Sequence, residues 1–407
     1  MSDRVLLRTL ILFLSVGLGV STSHALTDQE QLGKQIFFDQ NLSLNGNQSC
    51  AICHAPEAGW TGPDAAINGH GAVYEGSIAG RFGNRKPPSS AYATPSPILY
   101  LDKKRVFLGG NFWDGRATGE RLGSPAAEQA LGPFLNPLEQ AINSPADVIG
   151  RICASSYNGL LLNVCGAAAC GTENVSATYD CIGYSVAAYE GSPEVNQFSS
   201  KYDAVVAGME QFTRQEQEGF SLFLGKGKCN KCHTVNPRGK QALFTNYSYH
   251  NLGVPKNPEN PFYANPDFNP LGAAWLDLGL GGFLNAQMTH PEWSSLAREN
   301  FGRHKVPTLR NVDKWALPLG MKVKAYGHNG YFKSLKGIVH FYNTRDVLPV
   351  CPGEYTEVQA LAAKCWPLPE LALNMDTKDL GNLGLSDAEE EALVVFMKTL
   401  SDGYPTP

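Results

Sequence analysis

Three segments along the chain share one pattern. Thr27-Asp28-Gln29-Glu30, Thr213-Arg214-Gln215-Glu216 and Ser386-Asp387-Ala388-Glu389 each place a capping box ahead of an apolar run with helical period. The last predicts a helix with Leu393, Phe396, Met397 and Leu400 on one face. Alternating runs that would signal strands are scarce. Gly80–Pro97 and Val254–Gly272 are rich in Pro, Gly and Asn and predict long ordered loops. The expected fold class is mostly α, with modest helices, long loops and few strands.

The first 25 residues follow a different pattern. Arg4 and Arg8 precede an apolar stretch, Leu10–Val20, and Ser23-His24-Ala25 offers a small-x-small cleavage site. This predicts a secretory signal peptide over 1–25, with the mature chain starting near Leu26. The apolar run is shorter than the ~20 residues a span requires, and no later segment approaches that length. No membrane span is therefore expected, and the predicted location is the periplasm or cell surface.

Composition narrows the picture. Hydrophobic residues make up 43% of the 407, enough for a sizeable core, which excludes a disordered tail. With 42 Gly and 26 Pro, long-helix architectures are excluded as well. The balance of 33 basic to 38 acidic residues leaves no electrostatic footprint for nucleic acid, which is excluded as a main partner.

The chain also repeats itself weakly. Gly33-Lys34-Gln35-Ile36-Phe37-Phe38 precedes one Cys-x-x-Cys-His run, and Gly219-Phe220-Ser221-Leu222-Phe223-Leu224 precedes another. An aromatic-Thr pair follows each run, Trp60-Thr61 and Phe244-Thr245. Two copies of one small helical unit explain this, with the boundary expected near residue 205. An N-terminal unit would span 26–205 and a C-terminal unit 206–407.

The two runs are Cys50-Ala51-Ile52-Cys53-His54 and Cys229-Asn230-Lys231-Cys232-His233. Their spacing lets two thiols add to the two vinyl groups of one haem while the adjacent His reaches its iron. A thioredoxin-like pair or half of a zinc site are the alternatives, and neither explains a His directly after the second Cys in both copies. The expectation is two covalently bound c-type haems, with His54 and His233 as proximal ligands. The six other cysteines suit disulfides in an oxidising compartment. Cys351 and Cys365 stand apart and are expected to pair. Cys153, Cys165, Cys170 and Cys181 allow three connectivities, among which sequence does not choose.

Around these runs, Phe112-Trp113-Asp114-Gly115-Arg116, Val306-Pro307-Thr308-Leu309-Arg310-Asn311 and the turn at His328 and Gly330 resemble the bacterial di-haem cytochrome c peroxidase / MauG family. The resemblance runs from about Leu32 to Asp346 and implies two cytochrome c-like haem domains. In that family one haem meets peroxide, the second is its electron partner, and a tryptophan lies between them. Trp113 matches that tryptophan; its other reading is a core aromatic. Gln129, Pro133 and Glu139 match the family's distal-pocket Gln, Pro and Glu, after a six-residue insertion that follows Trp113. Glu139 is the chemically useful member, because O–O cleavage needs a group that takes a proton from one oxygen and returns it to the other. The alternative is a surface glutamate after Asn136-Pro137.

Two subfamilies differ at the second haem. Fourteen residues beyond the matching His, peroxidases carry Met and MauG-like proteins carry Tyr; here that position is Tyr342. A thioether favours ferrous iron, whereas a tyrosine oxygen favours ferric and higher states. Tyr342 is otherwise a core residue packing with Leu335 and Ile338. His70, sixteen residues after His54, matches the distal His that blocks the peroxide haem of resting peroxidases, and its second reading is a polar loop histidine. Gly227 replaces the MauG tryptophan two residues before the second haem motif, so the surface exit and protein substrate should differ. The family also holds a calcium ion between the haems through an Asn side chain and carbonyls. Lys86 occupies that Asn position and cannot ligate calcium, while Asn84 is a nearby substitute.

The leading expectation is a peroxide-using MauG-like oxidase acting on hydrogen peroxide and a protein partner, whose aromatic side chain it modifies. A peroxidase drawing electrons from a small cytochrome or cupredoxin is the alternative. A non-catalytic di-haem carrier is the third reading, and Glu139 and Tyr342 argue against it.

Overall fold

The computed structural model describes residues 25–235, 241–316 and 322–405. The predicted signal segment, apart from its last residue, lies outside them. The N-terminal half contains α1 (Asp28–Phe38), α2 (Cys50–Cys53), α3 (Ala65–Gly69), β1 (Tyr100–Leu101) and β2 (Phe107–Leu108). It continues with α4 (Pro125–Leu135), α5 (Pro145–Cys153), α6 (Asn158–Cys165) and α7 (Val175–Gly191). The rest comprises α8 (Lys201–Val206), α9 (Arg214–Leu224), β3 (Tyr249–His250), α10 (Gly279–Ala286) and α11 (Pro291–Ser294). β4 (His304–Lys305), α12 (Leu335–Thr344), α13 (Glu357–Ala363) and α14 (Asp387–Lys398) complete it. β1 pairs with β2 and β3 with β4, both antiparallel, so the molecule is mostly helical with long loops, as expected.

All three sequence-predicted capping boxes form, at Thr27, Thr213 and Ser386. Each satisfies otherwise orphaned N–H groups at its helix start. The repeated hexapeptides do the same job in both halves. α1 packs on α7 and α9 packs on α14. At each crossing a glycine admits the partner backbone: a Cβ on Gly33 would fall 1.8 Å from Ser185 O, and one on Gly219 would fall 1.9 Å from Ala392 O. Phe37 and Phe223, four residues on, are both buried. One hydrophobic core draws on residues from Leu32 to Val195 and a second on residues from Tyr202 to Leu400. Leu393, Phe396, Met397 and Leu400 are all buried in the second.

The seam between these cores is held by Arg310, which is 1% exposed. Its guanidinium pairs with both oxygens of Asp203 at 2.7 Å, and its Nε donates to Ala242 O. It also lies over the rings of Tyr92, Phe198 and Phe244. Disulfides join Cys351 to Cys365, as expected, and Cys153 to Cys170 and Cys165 to Cys181. The four cysteines of the two Cys-x-x-Cys-His runs are free. Among the described residues, no helix is long and apolar enough to cross a membrane.

Candidate active site

Two cavities of nearly equal size, about 1710 and 1780 Å³ with their mouths included, open beside the two cysteine runs. Cys50, Cys53 and His54 line one; Cys229, Cys232 and His233 line the other. Both histidines are oriented by the same device. His54 Nδ1 lies 3.3 Å from Trp60 O, and His233 Nδ1 lies 2.9 Å from Phe244 O. Trp60 and Phe244 both take left-handed backbone angles, φ 63° and 51°, which bulky residues adopt only when the surroundings impose them. The following threonines also match: Thr61 Oγ1 donates to Pro87 O and Thr245 Oγ1 to Val306 O, both at 2.7 Å. With Nδ1–H given to a carbonyl, Nε2 is the nitrogen left to ligate. Burial lowers both imidazoles to about 4, so they remain neutral, as ligation requires.

The alternative readings of the cysteine runs find no support at either site. Burial pushes the Cys50 and Cys229 thiols up to about 12, the opposite of an activated redox thiolate. Among the described residues, the one group of three ligand atoms close enough for a metal ion is Asp277, His304 and His328, so neither cysteine run completes a zinc site.

That third group belongs to the wall of the C-terminal cavity. The His304 and His328 rings stack with centroids 3.5 Å apart. Arg85 already pairs with Asp277 at 2.6 and 2.7 Å and with Asp114 at 2.6 Å, so a cation has no place beside that carboxylate. His304 Nε2 faces Asp277 Oδ2 at 3.3 Å and His328 Nε2 faces Glu370 Oε2 at 3.6 Å, and both residues border the cavity. Most of the lining is apolar, with lysines at its border, which suits a large flat apolar group with an acidic edge, the chemistry of haem.

The residues expected on the distal side converge in the N-terminal cavity. Gln129 and Pro133 project from α4, and Glu139 follows the Asn136 turn; all three line the cavity that holds His54. The turn is fixed by Asn136 Nδ2 donating to Glu139 Oε1 at 2.8 Å. Oε2 has no protein partner among the described residues. Burial raises the Glu139 carboxyl above its ordinary value, opposed by the charge of Arg116 and by the Asn136 bond. Glu190 on α7 lines the same cavity, and burial pushes it up to about 8. Nothing in the sequence around Glu190 marked it.

Trp113 lies in the wall common to both cavities. Its indole N–H donates to Lys86 O at 2.8 Å, and its own carbonyl accepts from Lys305 N at 2.9 Å. Gly115 in the same motif holds φ 77°, and a Cβ there would fall 2.5 Å from Tyr249 Oη. In the C-terminal cavity, Tyr342 on α12 stands in the wall with His233, Leu335 and Ile338. Its phenol has no hydrogen-bond partner among the described residues, and burial raises its pKa well above the ordinary range.

His70 is placed differently from the ligand reading. It lines neither cavity, its side chain is 72% exposed, and Nδ1 pairs with Glu259 at 2.9 Å. Its carbonyl accepts from Asn257 Nδ2 and Lys333 Nζ. The polar-loop role is the one this geometry supports. Calcium does not fit either: Lys86 points an ammonium at Thr61 Oγ1 and Pro87 O, where the family's Asn would ligate. Asn84 borders the N-terminal cavity, and its carbonyl accepts from Asn260.

Two histidine-bearing cavities of one design, each with a free Cys-x-x-Cys pair and a shared tryptophan wall, define a di-haem c-type cytochrome. Comparison with known proteins makes this more specific. The profile of the di-haem cytochrome c peroxidase family matches residues 27–211. The chain is 32% identical over 381 residues to the methylamine utilization protein MauG of Paracoccus denitrificans, covering 91% of this chain and 88% of that protein. It is 28% identical over 269 residues to the cytochrome c551 peroxidase of Nitrosomonas europaea, covering 65% and 67%. Among solved structures it resembles the diheme peroxidase BthA of Burkholderia thailandensis, with a TM-score of 0.71, 29% identity and coverage of 92% and 86%. The chain belongs to the di-haem cytochrome c peroxidase / MauG family, and it is a haem-dependent oxidoreductase that acts on peroxide.

Proposed function

We propose that this enzyme is a MauG-type oxidase that uses peroxide at the His54 cavity to oxidise a protein partner, the reaction being relayed by Trp113 toward the Tyr342 cavity. The observation that carries this reading is the convergence of Gln129, Pro133 and Glu139 on the His54 cavity, with Trp113 in the wall beyond. Two c-type haems, held by Cys50, Cys53 and His54 and by Cys229, Cys232 and His233, would supply the redox chemistry. Glu139 has the task of holding and moving one proton. Its Oε1 is anchored by Asn136, so Oε2 takes the proton from one peroxide oxygen and delivers it to the other. A raised carboxyl suits this, since a strong acid would not take the proton up.

Tyr342 would offer an oxygen ligand on the C-terminal side. Such a ligand stabilises oxidised iron and disfavours uptake of electrons from a reduced cytochrome. This favours the oxidase over the peroxidase that the Nitrosomonas relative exemplifies. The exported location belongs with the same reading, since c-type haem attachment and disulfides both suit the periplasm or cell surface.

The test is whether ferric, as-isolated holoprotein consumes peroxide without prior reduction, and whether Trp113→Phe slows oxidation of a protein substrate more than it slows peroxide consumption. Reaction with peroxide only after one-electron reduction, at rates set by a small cytochrome or cupredoxin, would refute the oxidase reading in favour of the peroxidase.

A further inference from the structure

Four lysines border the C-terminal cavity; Lys228 makes a solvent-exposed bond to Lys378 O, and the other three are Lys86, Lys305 and Lys324. An ammonium carries three N–H donors. Lys305 has all three engaged, by Ser96 Oγ and Asn111 Oδ1 at 2.7 Å and by Gly110 O. The other two do not. Lys86, 8% exposed, donates to Thr61 Oγ1 and Pro87 O, each at 2.8 Å. Lys324, 5% exposed, donates to Asn311 O at 2.7 Å and Lys314 O at 3.2 Å. Among the described residues, each keeps one N–H without a protein acceptor. Lys86 borders both cavities, and its backbone binds Trp113 on one side and the His328 carbonyl on the other.

Neither Lys86 nor Lys324 has a carboxylate partner at ion-pair distance among the described residues. A buried charge without a counter-charge is costly, and two of like sign near each other are costlier still. Burial pulls Lys86 down to about 7, and burial together with the neighbouring Lys86 charge pulls Lys324 well below its ordinary value. The protein supplies the anchoring carbonyls and leaves the counter-charge to a ligand.

We propose that Lys86 and Lys324 form a built-in cation pair that binds haem carboxylates at the wall of the C-terminal cavity, so that the chain needs no calcium ion there. Two ammonium groups carry the same charge as one calcium ion, and Lys86 stands where an Asn ligand would be needed to hold one. The proposal rests on the two-haem reading, and the experiment separates the two.

Haem is first counted in the purified holoprotein as the pyridine haemochrome. Fewer than two per chain would overturn the two-haem reading, and the cation pair with it. With two haems present, calcium is measured by elemental analysis before and after dialysis against EGTA, and the ferric electron paramagnetic resonance spectrum is recorded each time. The expected result is no stoichiometric calcium and an unchanged spectrum. One calcium per chain, or a spectrum that shifts with EGTA and recovers with calcium, would overturn the cation pair. Midpoint potentials of Lys86→Met and Lys324→Met supply an independent arm. Loss of a positive charge disfavours electron uptake, so at least one haem should move to lower potential, and Lys86→Arg should restore it. Potentials unchanged in both Met variants would equally overturn the proposal. Should the Met variants fail to fold, the calcium measurement on wild type decides alone.

Discussion

Replacing Glu139 by Gln isolates the proton-transfer role. The amide keeps the side-chain length and retains an Oε1 acceptor for Asn136 Nδ2, so the turn at Asn136 should hold. What is lost is the ability of Oε2 to take up a proton. General acid–base assistance is worth roughly 10²–10⁴-fold. The lower end is appropriate because Gln129 remains in the same cavity, giving about 10²-fold, or about 2.7 kcal/mol of activation free energy. The pH dependence supplies a second signature. Burial raises the Glu139 pKa, so the base form is depleted below that raised value and grows in as pH rises through it. Peroxide activation by wild type should therefore climb with pH from the acid side, starting above the ordinary carboxylate range. The Gln variant should be slow and flat over the same interval. Stopped-flow absorbance of ferric holoprotein under excess peroxide measures both. Rates within twofold of wild type, or an unchanged pH profile, would remove Glu139 from the chemistry.

Four further outcomes are expected. Tyr342→Met should raise the midpoint potential of the C-terminal haem, because a thioether favours ferrous iron; spectroelectrochemistry showing no shift would make Tyr342 a packing residue only. His70→Gly should leave the ferric spin state unchanged, since His70 is paired with Glu259 outside both cavities, and a low-spin to high-spin conversion in the paramagnetic resonance spectrum would contradict that placement. Arg310→Met strands the Asp203 carboxylate and should cost roughly 3–5 kcal/mol in urea unfolding. Replacing Cys351 and Cys365 by Ala opens a loop closed across 14 residues and should cost about 2–4 kcal/mol in the same assay.

Much of this was legible because it is local. A capping box needs four residues, and all three formed where the sequence put them. The haem runs are five residues long, and the repeated hexapeptides betrayed the glycine crossings that seat them. Even the aromatic-Thr pairs had a mechanical meaning, since each aromatic carbonyl turns out to hold the histidine of a Cys-x-x-Cys-His run. The arrangement of charge was not legible. Arg85 meets Asp277 across 192 positions, and Arg310 meets Asp203 across 107, with no periodicity to announce either pairing. His304 drew no notice because it sits in a two-residue strand, and its role emerges only from stacking on His328. His70 matched by spacing, yet a loop histidine follows whichever partner lies nearest, and here Glu259 does.

The tie between the Trp113 indole and Lys86 O bears on reversibility. An amide oxygen is a very weak base. If Trp113 gives up an electron in the role proposed for it, the N–H proton stays on the ring, since its only hydrogen-bonded neighbour will not keep it. The ring would then be a cation that needs only an electron to be restored, with no proton to recover from solvent. A tryptophan facing water or a carboxylate would instead shed the proton and trap the hole as a neutral radical, prone to side reactions. In that proposed role, one backbone carbonyl would make this residue a wire rather than a sink.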